Sequence, residues 1–270
     1  QISAHYEYPV PLGGIPRPVG QRIPVRPIPQ HGERVQKLVA NLAGIKSITF
    51  DLDGTLWDYE AIMQRSLALT LEELAKHDAI AASQLNVEKV IAVRDRVANQ
   101  MKSSVIDLEQ VRLESFKQTL RSVGRPNDEL AEQITKFNIH HRQADIQPFE
   151  DVMPALTALH RRYAVGALTN GNSHPERVGI GHVFDFTILA SEQGVSKPDP
   201  RIFHIAAELA GCEPSELLHV GDDLTDDIEG AIAAGLQAVW INRSDQTAVP
   251  ENPPEFQIST LSTLTEWLIE

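Results

Sequence analysis

The sequence predicts an α/β protein: a parallel sheet flanked by helices, with an all-helical layer inserted after the first strand. Three observations predict this. From about residue 147 onward, short β-branched runs alternate with amphipathic stretches, the pattern of a parallel sheet covered on both faces. Between 59 and 146 that alternation stops, and only helix-period segments occur. Just before the insertion, the run 47–51 reads as a buried strand that ends in a carboxylate, Asp51.

The chain opens on a Pro-rich arm, residues 1–45. Pro9, Pro11, Pro16, Pro18, Pro24, Pro27 and Pro29 each remove a backbone donor and fix φ, which disfavours helix and central strand alike. The arm is expected to be extended and polyproline-II-like. It is either a leader without fixed structure or a segment that docks on its own domain or on a second subunit. Arg17, Arg22 and Arg26 would favour docking on an acidic body.

The core is expected over 46–58 and 147–270. Its strands are read at 47–51, 163–168, 186–190, 217–220 and 236–241. Helices are read at 151–162, 174–181, 198–210 and 224–234, with Pro198 in a first turn, where a missing N–H costs nothing. The insertion, 59–146, carries helices near 60–77, 86–102, 107–123 and 127–145. Leu67, Leu71 and Leu74 share one helix face, as do Val90, Val93 and Val97. Asp107 suits the N-cap of the third helix, and Gly124-Arg125-Pro126 separates it from the fourth. Such an insertion reads as a lid.

Composition narrows the function classes. The 270 residues are 42% hydrophobic, enough for one large domain or two smaller ones. A formal net charge of −13 repels phosphate backbones and argues against a nucleic-acid partner. A small phosphate can still bind where a metal and a few local donors invert the field. The single cysteine, Cys212, rules out an intrachain disulfide and a Cys-rich metal site, and it fits a reducing compartment such as the cytoplasm. No apolar run approaches the ~20 residues that span a bilayer. No secretory signal is visible at Gln1-Ile2-Ser3. A monomer or homodimer without membrane contact is expected.

The chemistry gathers at the ends of strands. Phe50-Asp51-Leu52-Asp53-Gly54-Thr55 places two carboxylates after the first strand, where α/β sheets bind ligands. Two acids there repel unless a cation joins them. Thr169-Asn170-Gly171 follows another strand and offers a hydroxyl, an amide and a turn glycine. Ser196-Lys197-Pro198 places a lysine at an expected helix start, which already favours anions. Gly221-Asp222-Asp223-Leu224-Thr225-Asp226-Asp227 follows the fourth strand with four more carboxylates. Each segment alone is an ordinary polar turn. Together and in this order, they lack a purely structural reason. No Gly-x-x-x-x-Gly-Lys-[Ser/Thr], Cys-x-x-Cys, His-Glu-x-x-His or Gly-x-Ser-x-Gly pattern occurs.

These four segments resemble the motifs of the haloacid dehalogenase-like superfamily, and the resemblance covers about 47–245. Thr-Asn-Gly-Asn at 169–172 and His-Val-Gly-Asp-Asp-Leu-Thr at 219–225 are similar to its small capped phosphatases, including flavin mononucleotide hydrolases. The resemblance implies a Rossmann-like core with a helical cap, and Asp51 as a nucleophile that forms an aspartyl-phosphate. It implies Asp53 as general acid and base, and Mg²⁺ held by Asp51, Asp222 and the Asp53 backbone carbonyl. Lys197 and Thr169 would cradle the phosphoryl oxygens, with backbone N–H groups near Leu52, Asp53 and Asn170. Asp227 would orient Lys197 or a metal-bound water, or Asp226 would do so instead. Thr55 would brace the Asp53 loop.

The substrate class implied is a small phosphomonoester: flavin mononucleotide, a nucleotide or a sugar phosphate. Trp57 is expected either to stack on an aromatic leaving group or to pack where core meets cap. His140, His141, His174 and His219 read as structural, with His174 alternatively facing the mouth of the site. The alternatives are a sugar-phosphate phosphotransferase or mutase, a 2-haloacid dehalogenase and a non-catalytic binding module. The acid at Asp53 disfavours the dehalogenase, because a halide leaving group needs no proton.

Overall fold

The computed structural model describes residues 42, 44–101, 107–243, 254 and 256–269. Apart from its last residues, the expected Pro-rich arm lies outside them. Six strands, β1 (Ser47–Phe50), β2 (Ala164–Thr169), β3 (Phe186–Leu189), β4 (Leu217–Gly221), β5 (Gln237–Ile241) and β6 (Gln257–Ile258), form one sheet in the order β3-β2-β1-β4-β5-β6. Every pairing is parallel. Between β1 and β2 come α1 (Tyr59–His77), α2 (Ala79–Ser83), α3 (Val87–Gln100), α4 (Leu108–Ser122), α5 (Asp128–Ala144) and α6 (Val152–His160). After β3 follow α7 (Ala190–Gln193) and α8 (Pro200–Ala210). A π-helical turn, Leu224–Glu229, leads into α9 (Gly230–Ala233), and α10 (Leu261–Ile269) comes after β6.

Side-chain alternation gives the sheet two apolar faces. Ile48, Phe50, Val165, Ala167, Leu218 and Val220 face one layer, covered by α6 and α10 through Leu156, Leu159, Leu261 and Leu264. Leu168, Leu217, Ala238 and Trp240 face the other, covered by α8 and α9 through Ile202, Phe203 and Ala231. Full burial of a side chain such as Phe50 or Leu156 contributes on the order of 2 kcal/mol.

The insertion builds a separate core. Met63, Leu67 and Leu74 of α1 meet Val90 of α3, Phe116 and Leu120 of α4, and Leu130 and Ile134 of α5. Each of its helices starts at an Asp or Asn whose side chain accepts a first-turn N–H. Asp58 accepts from Ala61, Asp78 from Ala81, Asn86 from Lys89, Asp107 from Glu109 and Gln110, and Asn127 from Leu130. Such caps contribute about 1 kcal/mol each. No helix among the described residues is long and apolar enough to cross a membrane.

Three expectations need correction, and one pair of elements was not expected. The helix read at 174–181 is a series of turns. Arg177 N–H reaches only the His174 carbonyl, and Gly179, at φ +83°, ends the run before a helix can propagate. Pro198 does not open a helix: α8 starts at Pro200 behind the N-cap Asp199, and the Lys197-Pro198 peptide is cis. Lys197 therefore precedes a helix instead of starting one. The segment read as a helix at 224–234 begins as a π turn. The closing pair β6 and α10 went unread, because a two-residue strand has no visible period.

Candidate active site

The sheet order reverses beside β1: β2 and β3 lie on one side, β4 to β6 on the other. Carboxyl ends of strands at such a switch point border a crevice. Asp51, Thr169 and Asp222, which leave β1, β2 and β4, all line one cavity of about 290 Å³ there. A larger cavity, about 570 Å³, lies beyond Asp53 and Gly54, but neither Asp51 nor Lys197 lines it.

A buried chain of charges forms the floor. Lys197 Nζ donates to Asp51 Oδ1 at 2.6 Å and to Asp227 Oδ1 at 2.5 Å. Lys197 is 4% exposed and Asp227 1%. Asp227 Oδ2 accepts the Asp223 N–H at 2.9 Å, and Oδ1 meets His219 Nε2 at 3.1 Å. His219 Nδ1 lies 3.0 Å from Thr49 Oγ1. Burial holds this imidazole below its usual range, hence neutral. Nε2–H then donates to the carboxylate, and Nδ1 accepts from Thr49. Burial also works against the Lys197 ammonium, but Asp51 and Asp227 outweigh it and hold it above its ordinary range. Asp227 is held low because Lys197 and then His219 overcome its burial. Burial drives Asp51 well upward against the pull of Lys197, and Asp227 and Asp222 add to the rise. Asp222 is pushed up to about 6 by burial and then by Asp227.

Carboxylate oxygens of Asp51, Asp222 and Asp227 lie within 4.8 Å of one another. Asp227 is already engaged by Lys197, His219 and the Asp223 amide. Asp51 and Asp222, raised together and short of donors, fit an oxygen-seeking divalent cation. Thr55 Oγ1 donates to Asp222 Oδ1 at 3.0 Å, so it braces Asp222 instead of the Asp53 loop. Gly54 takes φ +92°, and a Cβ there would collide with the Asp222 carboxylate. Only glycine lets this turn pass so close.

Asp53 turns away from that cluster. Its Oδ1 accepts the indole N–H of Trp57 at 2.7 Å and the Ser173 hydroxyl at 3.4 Å. Its Oδ2 would lie 2.5 Å from a Cβ at Gly171. Trp57 is fully buried, so its ring has no face to offer a leaving group. Its polar edge aims Asp53 instead. Leu52 is fully buried too, which leaves only its backbone for a ligand.

Asn170 has its carboxamide committed to the Lys197 main chain: Oδ1 accepts the Lys197 N–H and Nδ2 donates to the Lys197 carbonyl, both at 2.9 Å. The same Nδ2 donates to Asp226 Oδ2 at 3.1 Å. Asp227 is thus the residue beside the lysine, and Asp226 sits one step away on Asn170. Thr169 Oγ1 accepts the Gly171 N–H at 2.8 Å and lines the cavity. Asp223 caps the π turn through the Thr225 and Asp226 amides.

The roof comes from the insertion and went unread in the sequence. Arg112 of α4 and Arg142 of α5 line the same cavity, with Tyr59 and Asn172. On amphipathic helices these arginines look like ordinary surface charges. Only the Asn172 position, inside the 169–172 segment, carried a signal.

A family model for haloacid dehalogenase-like hydrolases matches residues 45–235. The chain is 31% identical over 230 residues to 5-amino-6-(5-phospho-D-ribitylamino)uracil phosphatase YigB of Escherichia coli (strain K12), covering 83% of this chain and 96% of that one. It is 28% identical to N-acylneuraminate-9-phosphatase of Homo sapiens, over 82% of this chain and 92% of that protein. Among solved structures, it is similar to a 2-haloacid dehalogenase from Pseudomonas syringae pv. Tomato DC3000, at 32% identity and a TM-score of 0.69, covering 83% of this chain and 97% of that one.

Proposed function

The chain belongs to the haloacid dehalogenase-like hydrolase family, and from that premise we propose that it is a Mg²⁺-dependent phosphatase of small phosphomonoesters. One observation carries the reading. Asp51 ends the central strand with Oδ1 on Lys197, while Asp53, two residues on, is separately aimed by Trp57. One carboxylate is placed to attack and the other to move a proton. A dehalogenase has no use for the second, although the 32% identity to a 2-haloacid dehalogenase makes that activity worth including in the test. The phosphatase names of YigB and N-acylneuraminate-9-phosphatase agree with the choice.

In this reading Asp51 Oδ2, the oxygen not held by Lys197, attacks phosphorus, and the ester oxygen leaves with a proton from Asp53. Asp53 then takes a proton from water, which attacks the aspartyl-phosphate and frees Asp51. Lys197 and Thr169 stabilise the phosphoryl oxygens, and Asp227, backed by His219, keeps Lys197 in place. Asp51, Asp222 and the Asp53 carbonyl would hold Mg²⁺, which when bound supplies charge neutralisation at those oxygens. Residues 46–58 and 147–270 act as the catalytic core, and 59–146 as the cap that excludes water. Candidate substrates are sugar phosphates, nucleotides and flavin mononucleotide, and the single cysteine suits a cytoplasmic enzyme.

The test is phosphate release from a panel of such esters and p-nitrophenyl phosphate, with Mg²⁺ and with EDTA, beside halide release from 2-chloropropionate. EDTA-sensitive phosphate release that falls on the order of 10⁴-fold in Asp51→Asn supports the reading. Undiminished turnover in that variant removes Asp51 as nucleophile, and halide release alone replaces the phosphatase with a dehalogenase. Formation of sugar-phosphate isomers would identify a mutase.

A further inference from the structure

We infer that the ester this site is built for carries a second anionic group, a carboxylate or a second phosphoryl group, held under the cap by Arg112 and Arg142. The inference rests on the phosphatase reading for the position of the first phosphate, but its evidence lies in the cap.

Both arginines line the cavity whose floor holds Asp51 and Lys197. Of the other arginines in 59–146, Arg94 pairs with Asp95, Arg121 with Glu114 and Asp128, and Arg125 with Asp78, while Arg65 and Arg96 are exposed to water. Among the described residues, neither Arg112 nor Arg142 forms an ion pair. Arg112 Nη2 donates to the neutral Asn172 Oδ1 at 3.2 Å, which ties it to the loop after β2. The Arg142 guanidinium lies 4.9 Å from the centre of the Tyr59 ring, a contact that orients it without neutralising it. Burial, and then the like charge of Arg142, lower Arg112 to about 10.

Two like charges partly withdrawn from water, with no ion-pair partner but the longer-range pull of Asp53 and Glu109 on Arg112, are incompletely neutralised. An anion between them reverses the balance. The guanidinium fork matches carboxylate and phosphate oxygens two at a time. In a chain of net charge −13, this cationic roof is a local exception over the phosphoryl-binding floor. An ester with anions at both ends would span floor and roof.

Calorimetric titration of the full chain with Mg²⁺ tests this without turnover. Phosphonoacetate, 3-phosphonopropionate and 4-phosphonobutyrate are compared with the matching alkylphosphonates, and methylene- and propylene-bisphosphonate form a separate arm. At least one doubly anionic compound should bind about tenfold or more tightly than its singly anionic match. The better arm tells a carboxylate from a second phosphate. The preference should collapse in Arg112→Met and Arg142→Met and partly return in Arg112→Lys. Because it is a ratio of affinities, a smaller folded fraction cannot mimic its loss. Equal affinities across all pairs overturn the inference, as does a preference that survives both methionine variants. Absent turnover on every ester, with the binding preference intact, would defeat the phosphatase reading alone.

Discussion

The carboxyl edge of the sheet and the interior of the helical insertion bury polar groups in opposite ways. In the helical insertion, most buried hydroxyls are satisfied by their own helix: Thr70 donates to the Ser66 carbonyl, Ser115 to Val111 and Thr135 to Ala131, with Thr119 Oγ1 the exception that finds no partner among the described residues. At the core edge, buried polar groups reach across the chain. Lys197 meets Asp51 from 146 residues away, and Asn170 meets Lys197 from 27. The cap interior is thus held by apolar contact with local repair of its polar groups. The core edge is a network in which removing one member strands the others. Among the described buried residues of the insertion, only Asn138 does something similar, by donating to Ser66 and Thr70 on a neighbouring helix.

This difference can be broken at its strongest point. Lys197→Met leaves Asp51 and Asp227 buried without their cation, so unfolding in urea should show a loss of about 3–5 kcal/mol together with loss of activity. Unchanged stability would mean the network is not what holds that edge. Leu120→Ala, fully buried in the cap, should cost about 2–5 kcal/mol by thermal unfolding. Below its melting temperature it should still hydrolyse p-nitrophenyl phosphate at a rate of the same order as the parent, because the reacting groups lie in the core. A collapse of that rate would show the two regions to be one cooperative unit.

Trp57→Phe sharpens the comparison. It keeps the ring in the core and deletes the N–H that aims Asp53. Turnover number should fall about tenfold with little change in KM. A change in KM alone would return Trp57 to substrate contact. The smallest effect is expected at Asp199, whose carboxyl is held at about 2 by the Arg201 side chain and then by the Arg201 amide. Its folded pKa lies below the unfolded value near 3.9. The stability it adds is therefore present above about pH 4 and lost as pH falls toward 2. The melting-temperature gap between the parent and Asp199→Asn should narrow over that window, and a constant gap would deny the linkage.

Much of this architecture was legible beforehand. The β-branched runs placed five of six strands within about a residue, and Asp107 was read as a cap. The acidic strand ends pointed to the cavity that Asp51, Thr169 and Asp222 line. Asp51, Thr169 and Lys197 line one cavity, while Asp53 at its edge is turned toward Trp57. Trp57 was legible only as a choice between stacking and packing, and burial decided it. Arg112 and Arg142 left no mark, since a charge on an amphipathic helix looks the same whether it faces water or a neighbouring domain.

By itself, then, the sequence determined what depends on near neighbours. Period sets which face of a strand or helix is buried, a capping side chain acts within three residues, and a glycine declares a turn. The tertiary structure alone decided the rest: that Asp227 and not Asp226 meets Lys197, that Thr55 donates to Asp222, and that Arg112 and Arg142 line the cavity with Asp51 and Lys197. These are contacts between segments distant in sequence, resolved by differences of an ångström or less. No local pattern encodes which remote partner a buried charge will find.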